Sequence, residues 1–144
     1  MLRSFLLAAA LIALLPASGT ASVAASSTPS TTAVEPLNIG FALYTKSDVP
    51  GTLNARWSYS NAYTGPGVAT GGSRTGGFAG HYHIRYFLEN GAFSDEYDLD
   101  IVKHTPGNFY DVTWLTKGKV RARGVGMEVA DGKSLAVGWR RVTD

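Results

Sequence analysis

Three histidines and three carboxylate-bearing or cationic side chains are the residues of this chain whose types and spacing could do chemistry. His81 and His83 are two apart, so on a β-strand they share one face. That spacing can chelate a divalent metal, with His104 as a possible third ligand. The competing reading is a surface ladder, because acids recur with the same alternation at Asp98 and Asp100. Asp95, Glu128 and Arg141 fall in phase with apolar neighbours, which places them on the inner face of a folded sheet. A carboxyl held in aromatic surroundings has a raised pKa and can serve as general acid or base. In that case Asp95 or Glu128 moves the proton and Tyr97 polarises the substrate. The bland alternative leaves all three at strand ends, where an inner face meets water.

Other catalytic patterns are missing. The chain has no cysteine, and no Gly-x-Ser-x-Gly elbow that would expose a nucleophilic serine. The run Gly71-Gly72-Ser73-Arg74-Thr75-Gly76-Gly77 has the glycines of a phosphate cradle but neither its lysine nor a following helix. It reads as a hairpin loop at a barrel mouth, able to act as a lid. No cofactor and no metal is implied.

The elements that must position these residues are strands. Apolar and polar residues alternate in Leu53–Tyr59, His81–Leu88, Phe93–Lys103, Phe109–Leu115 and Lys119–Val129. Gly, Pro and Asn punctuate them at Pro50-Gly51, Asn90-Gly91, Pro106-Gly107, Lys117-Gly118 and Asp131-Gly132. No segment has helical periodicity. The second half also echoes the first: the offset that carries Trp57 onto Trp114 carries Gly67-Val68 onto Gly124-Val125 and Tyr82 onto Trp139. The expected fold is therefore all-β, an eight-stranded antiparallel up-and-down barrel with an internal two-fold pseudo-repeat.

Turn chemistry specifies registers. A two-residue type I′ turn at Asn90-Gly91 pairs Glu89 with Ala92, Leu88 with Phe93, Arg85 with Glu96, Ile84 with Tyr97, His83 with Asp98, Tyr82 with Leu99 and His81 with Asp100. A three-residue loop at Thr116-Lys117-Gly118 pairs Trp114 with Val120, Val112 with Ala122 and Asp111 with Arg123. The Asp131-Gly132 turn sets Gly126 against Val137 and Gly124 against Trp139, whose indole should lie across the glycine. By the repeat, Tyr82 should lie over Gly67.

These registers predict an inner face of Trp57, Tyr59, Tyr82, Tyr86, Tyr97, Tyr110, Trp114 and Trp139, interleaved with small residues. The outer face carries Arg56, His81, His83, Arg85, Glu96, Asp98, Asp100, Asp111, Lys119, Arg121 and Arg123. Such a charged exterior argues against insertion in a membrane, where a barrel needs an apolar outer band.

Phe109-Tyr110-Asp111-Val112-Thr113-Trp114, Arg123-Gly124-Val125-Gly126 and Leu135-Ala136-Val137-Gly138-Trp139 resemble a pattern of small exported bacterial β-proteins of unassigned function. More loosely, the chain resembles calycin-type barrels, the lipocalins and avidins. That resemblance implies barrel corners and an up-and-down order. The lipocalin Gly-x-Trp on the first strand is replaced by Gly40-Phe41-Ala42, so no ligand is implied.

Residues 1–25 read as a signal peptide: Arg3, an apolar run from Phe5 to Leu15, and small residues before cleavage after Ala21 or Ala25. Residues 26–36 form a Ser/Thr/Pro-rich tether, and residues 37–144 the barrel. With 13 basic and 11 acidic residues there is no electrostatic case for a nucleic-acid partner. The expected protein is exported, periplasmic or secreted, and binds a small hydrophobic or aromatic molecule through Trp57, Tyr59, Tyr82, Tyr86, Tyr110, Trp114, Trp139 and Arg141. A cofactor-free lyase or isomerase using Asp95, Glu128 and Tyr97 is the enzymatic alternative. A structural or interaction module of the cell envelope is the third.

Overall fold

A computed structural model of the chain describes residues 35–143, with isolated residues before them. The expected signal peptide and tether lie, apart from those positions and Glu35-Pro36, outside the described residues. The remainder is all-β. Eight antiparallel strands, β1 (Gly40–Lys46), β2 (Leu53–Tyr59), β3 (Tyr63–Thr70), β4 (Gly80–Phe87), β5 (Phe93–Lys103), β6 (Phe109–Thr116), β7 (Lys119–Val129) and β8 (Ser134–Arg141), close in sequence order into a barrel. β1 completes the ring by pairing with β8, for example Gly40 with Trp139. The alternation in each strand decides which side chains enter the interior, where Ala42, Tyr44, Leu53, Ala69, Ile84, Leu99, Val112, Leu135 and Val137 are buried.

The β4–β5 pairing places His81 opposite Asp100, His83 opposite Asp98, Arg85 opposite Glu96 and Ile84 opposite Tyr97, as the alternation requires. The turn itself differs from expectation. Gly91 N–H donates to the Leu88 carbonyl and Leu88 N–H to that of Ala92, at 2.9 and 2.8 Å, closing a three-residue loop in which Gly91 alone has positive φ. A bulge at Ser94 then restores the register, so Phe87 rather than Leu88 faces Phe93.

The next hairpin shows the converse. Lys117 and Gly118, with φ of 51° and 75°, form a two-residue turn of the primed type. A bulge at Arg121 follows, and Trp114 pairs with Ala122, Val112 with Gly124 and Asp111 with Val125, two residues from the expected partners. Turn and bulge together shift the register by an even number, so the paired side chains keep their expected faces, and Arg121 at the bulge does not.

β2 and β3 lie near β6 and β7 under the offset from Trp57 to Trp114, but β5 and β8 begin well before the positions it gives for β1 and β4, and the pairing differs as well. Gly124 faces Trp139, whereas Gly67 faces Tyr86 rather than Tyr82. Tyr82 instead covers Gly72, where an added Cβ would meet its ring at 1.9 Å. The long β3–β4 loop explains this. Phe78 turns back from it into the barrel end, fully buried, with its ring edge-on to Tyr110 and the Lys46 ammonium 4.7 Å from its centre. The Tyr82 hydroxyl donates to the Phe78 carbonyl at 2.8 Å. The glycine-rich loop therefore carries a plug for this end of the barrel.

The outer wall is uneven. β4 and β5 present the expected charged ladder, while Phe41, Val125, Met127 and Phe109 are exposed on β1, β7 and β6. Among the described residues no helix is long and apolar enough to cross a membrane.

Candidate functional site

The end opposite the Phe78 plug is open. There a cavity of about 990 Å³ is lined by Trp57, Tyr59, Tyr86, Tyr97, Trp114 and Trp139, with Leu88 and Ala122 among them. The small residues Gly40, Ala55, Gly67 and Ala122 let the large rings lie flat against the wall. Tyr59 stacks on Trp139 at 5.3 Å and 18°, and Trp139 leans on Trp114 at 5.8 Å. Trp57 is held by an N–H donated to the Phe87 carbonyl at 3.0 Å, and its ring meets Tyr86 at 5.8 Å.

The floor is polar and deeply buried. Trp114 Nε1–H donates to the Tyr86 hydroxyl oxygen at 2.8 Å, and the Tyr86 and Tyr44 hydroxyls lie 2.5 Å apart. Tyr44 is wholly buried and Tyr86 nearly so. Burial pushes both phenols above their ordinary pKa, since a phenolate would lose its hydration there. Both are neutral hydrogen-bonding groups at neutral pH.

The rim is charged. Arg141 lies over Tyr59, 4.4 Å from the ring centre, and Arg121, Asp95 and Glu96 also line the cavity. Tyr97 is raised by burial and then by the Asp95 carboxylate, against a smaller pull from Arg141 and Arg121.

The structure divides the residues that the sequence grouped together. Trp57, Tyr59, Tyr86, Trp114, Trp139 and Arg141 meet at the open end, with Asp95 and Tyr97. Tyr82, Tyr110 and Glu128 do not line this cavity: they sit toward the plugged end, where the Tyr110 hydroxyl donates to Glu128. Asp95 and Glu128 therefore cannot serve one reaction. Trp139 also differs in detail, for its indole covers Gly40 on β1, and only its Cβ approaches Gly124.

Sequence reasoning missed Tyr44, because β1 (Gly40–Lys46) is not among the segments read by alternation. It also missed Arg121, assigned to the outer face by alternation, which the bulge brings into the cavity lining. The histidines stand outside the site. His81 pairs with Asp100 at 2.5 Å, His83 with Glu96 at 3.1 Å and Asp98 at 3.8 Å, and His104 with Asp111 at 2.8 Å, on the surface. His104 is thus committed to a different partner from the His81–His83 pair. No group of three or more His, Cys, Asp or Glu suited to a metal ion occurs among the described residues.

Fold and site define a closed, eight-stranded up-and-down barrel, consistent with the calycin-like type, with one plugged end and one aromatic, open end. Compared with known proteins, the chain matches no family model, no curated protein and no solved structure.

Proposed function

We propose that this protein is an exported binder of a small, flat, apolar or aromatic molecule, held in the open end of the barrel. The lining carries the reading: seven aromatic side chains, the six above and Tyr63, surround about 990 Å³, a size at the upper end of ordinary small-molecule sites. Indole and phenol faces offer large contact areas at little entropic cost, which suits a planar ligand. Arg121, Arg141 and Asp95 at the rim would hold a polar outer end. Native mass spectrometry of the full chain purified from its own host tests this. A co-purifying small molecule that is lost in Trp139→Ala supports it. A protein that emerges empty, and whose tryptophan fluorescence no aromatic probe quenches, contradicts it.

A second reading has one observation in its favour. Asp95 and Tyr97 lie at the same mouth, where the carboxylate helps to raise the phenol's pKa. A lyase or isomerase would use these two without Glu128, and Asp95→Asn would then abolish turnover while leaving binding intact.

A further inference from the structure

We infer that the ligand of this cavity carries a neutral hydrogen-bond acceptor, a carbonyl or ether oxygen, at its inner end, and that the Tyr86 hydroxyl donates to it. The inference rests on the binding reading above and follows from counting protons at the floor.

Three donors meet there: the indole N–H of Trp114 and the hydroxyls of Tyr44 and Tyr86. An indole N–H can only donate; it gives its proton to the Tyr86 oxygen at 2.8 Å, with the Tyr44 oxygen also in reach, so it supplies one proton to the pair and takes none. One further proton lies between the two tyrosine oxygens. The third proton belongs to whichever tyrosine accepts that bond.

The two choices differ in where that proton is stranded. If Tyr86 donated to Tyr44, the spare proton would sit on Tyr44, which is 0% exposed and does not line the cavity. A buried donor without an acceptor is the costly outcome. If Tyr44 donates to Tyr86, both lone pairs of the Tyr86 oxygen are filled, and the spare proton sits on a residue that lines the cavity. This second arrangement is favoured. Two incoming bonds also polarise the Tyr86 O–H and strengthen it as a donor.

A ligand that reaches the floor must therefore replace the hydrogen bond that water can accept from Tyr86. A hydrocarbon end would leave the donor unpaired, and a donor end would oppose it. The cations that line the cavity, Arg121 and Arg141, are exposed at the rim rather than buried at the floor. A carboxylate would lose hydration at the floor without gaining a counter-charge, so the acceptor is neutral.

The test uses two flat probes of nearly the same shape, 2-acetylnaphthalene and 2-ethylnaphthalene, titrated into the full chain by tryptophan quenching. The expected result is tighter binding of the ketone by about tenfold. Its carbonyl stretch should move to lower wavenumber when bound. Tyr86→Phe should erase both the preference and the shift while 2-ethylnaphthalene still binds. Tyr44→Phe should retain a preference, because Tyr86 keeps its proton. Should Tyr86→Phe not fold, the comparison and the infrared shift in the parent protein still decide. Equal affinities with an unshifted carbonyl, or a preference that survives in Tyr86→Phe, would overturn the inference and leave the cavity reading standing. If neither probe binds, the cavity reading fails and the inference falls with it.

Discussion

Trp139 on β8 lies over Gly40 on β1, so close that a Cβ added to Gly40 would stand 2.0 Å from the indole. This contact seals the strand pair that closes the barrel, and it also sets one wall of the cavity. The flat indole occupies the space that a side chain at Gly40 would need. Gly40→Ala must push the ring toward the cavity or spread the two strands. We expect a stability loss of about 1–3 kcal/mol, typical of overpacking, together with weaker probe binding. Gly138→Ala on β8, beside Trp139, is the control, since nothing lies within 4 Å of its added Cβ. Thermal melts and quenching titrations on both variants check the pair, and equal behaviour would mean that the Trp139–Gly40 contact is not made.

The floor makes an asymmetric expectation about stability. Tyr86→Phe removes the oxygen that accepts from Trp114 and pairs with Tyr44; the Tyr44 oxygen, which the Trp114 N–H also reaches, can then take the indole proton, and the Tyr44 hydroxyl proton is left buried without a partner. The cost should be roughly 1–3 kcal/mol. Tyr44→Phe leaves Trp114 paired with Tyr86 and should cost only about 1 kcal/mol. Urea unfolding of the two variants measures the difference, and a larger loss in Tyr44→Phe would reverse the assignment of donor and acceptor.

Alkaline pH should destabilise the barrel. Burial, and then the bond to Glu128, push Tyr110 up to about 12 from the ordinary value of 10.0. Tyr44, Tyr82, Tyr86 and Tyr97 are also raised, each by burial first. Above about pH 10 the unfolded chain releases these phenolic protons and the folded one retains them. Fewer protons on the unfolded state means that stability falls as pH rises. The stability is intact below pH 10 and, for Tyr110, is lost progressively between pH 10 and about 12. Absorbance of phenolate followed alongside circular dichroism should show these tyrosines ionising together with unfolding. Ionisation of all of them near pH 10 in a protein that stays folded would contradict their burial.

The plugged end should matter for stability and not for binding. Phe78→Ala removes a fully buried ring from against Tyr110 and Lys46, at about 3–5 kcal/mol. Glu128→Gln keeps an acceptor for Tyr110 and should be milder. Where the variants fold, each should bind aromatic probes at the open end as the parent does. Trp139→Ala, by contrast, should weaken binding severalfold with the plugged end intact. A Glu128 variant that loses probe affinity would show that the two ends communicate.

Much of this architecture was legible in the order of residues. Period-two alternation marks the strands and, within each strand, the side chains that enter the barrel. It depends only on the geometry of an extended backbone, which successive Cβ atoms leave on opposite sides. The β4–β5 ladder could be read from Asn90-Gly91 and the matching charges, even though the turn there is three residues long. The turn and the bulge at Ser94 compensate, and parity preserves the faces. The same logic kept the paired inner positions correct across Lys117-Gly118, despite partners two residues from those expected, and failed only at the bulged Arg121.

What only the tertiary structure decided is how that inner face divides between two ends. Alternation says that Tyr82, Tyr86, Tyr110 and Trp114 point inward, but not how far along the axis each lies relative to residues on distant strands. That depends on the tilt and stagger set when β1 meets β8, a closure between segments far apart in sequence. The fate of the glycine-rich loop was likewise decided in three dimensions. Its composition permits many conformations, and the burial of Phe78 against Tyr110 selects one. The placement of Arg121 had the same origin, since a bulge arises where register, turn and closure must be reconciled. Side-chain period is a local property of the chain, whereas the depth of a side chain in a closed barrel belongs to the whole ring.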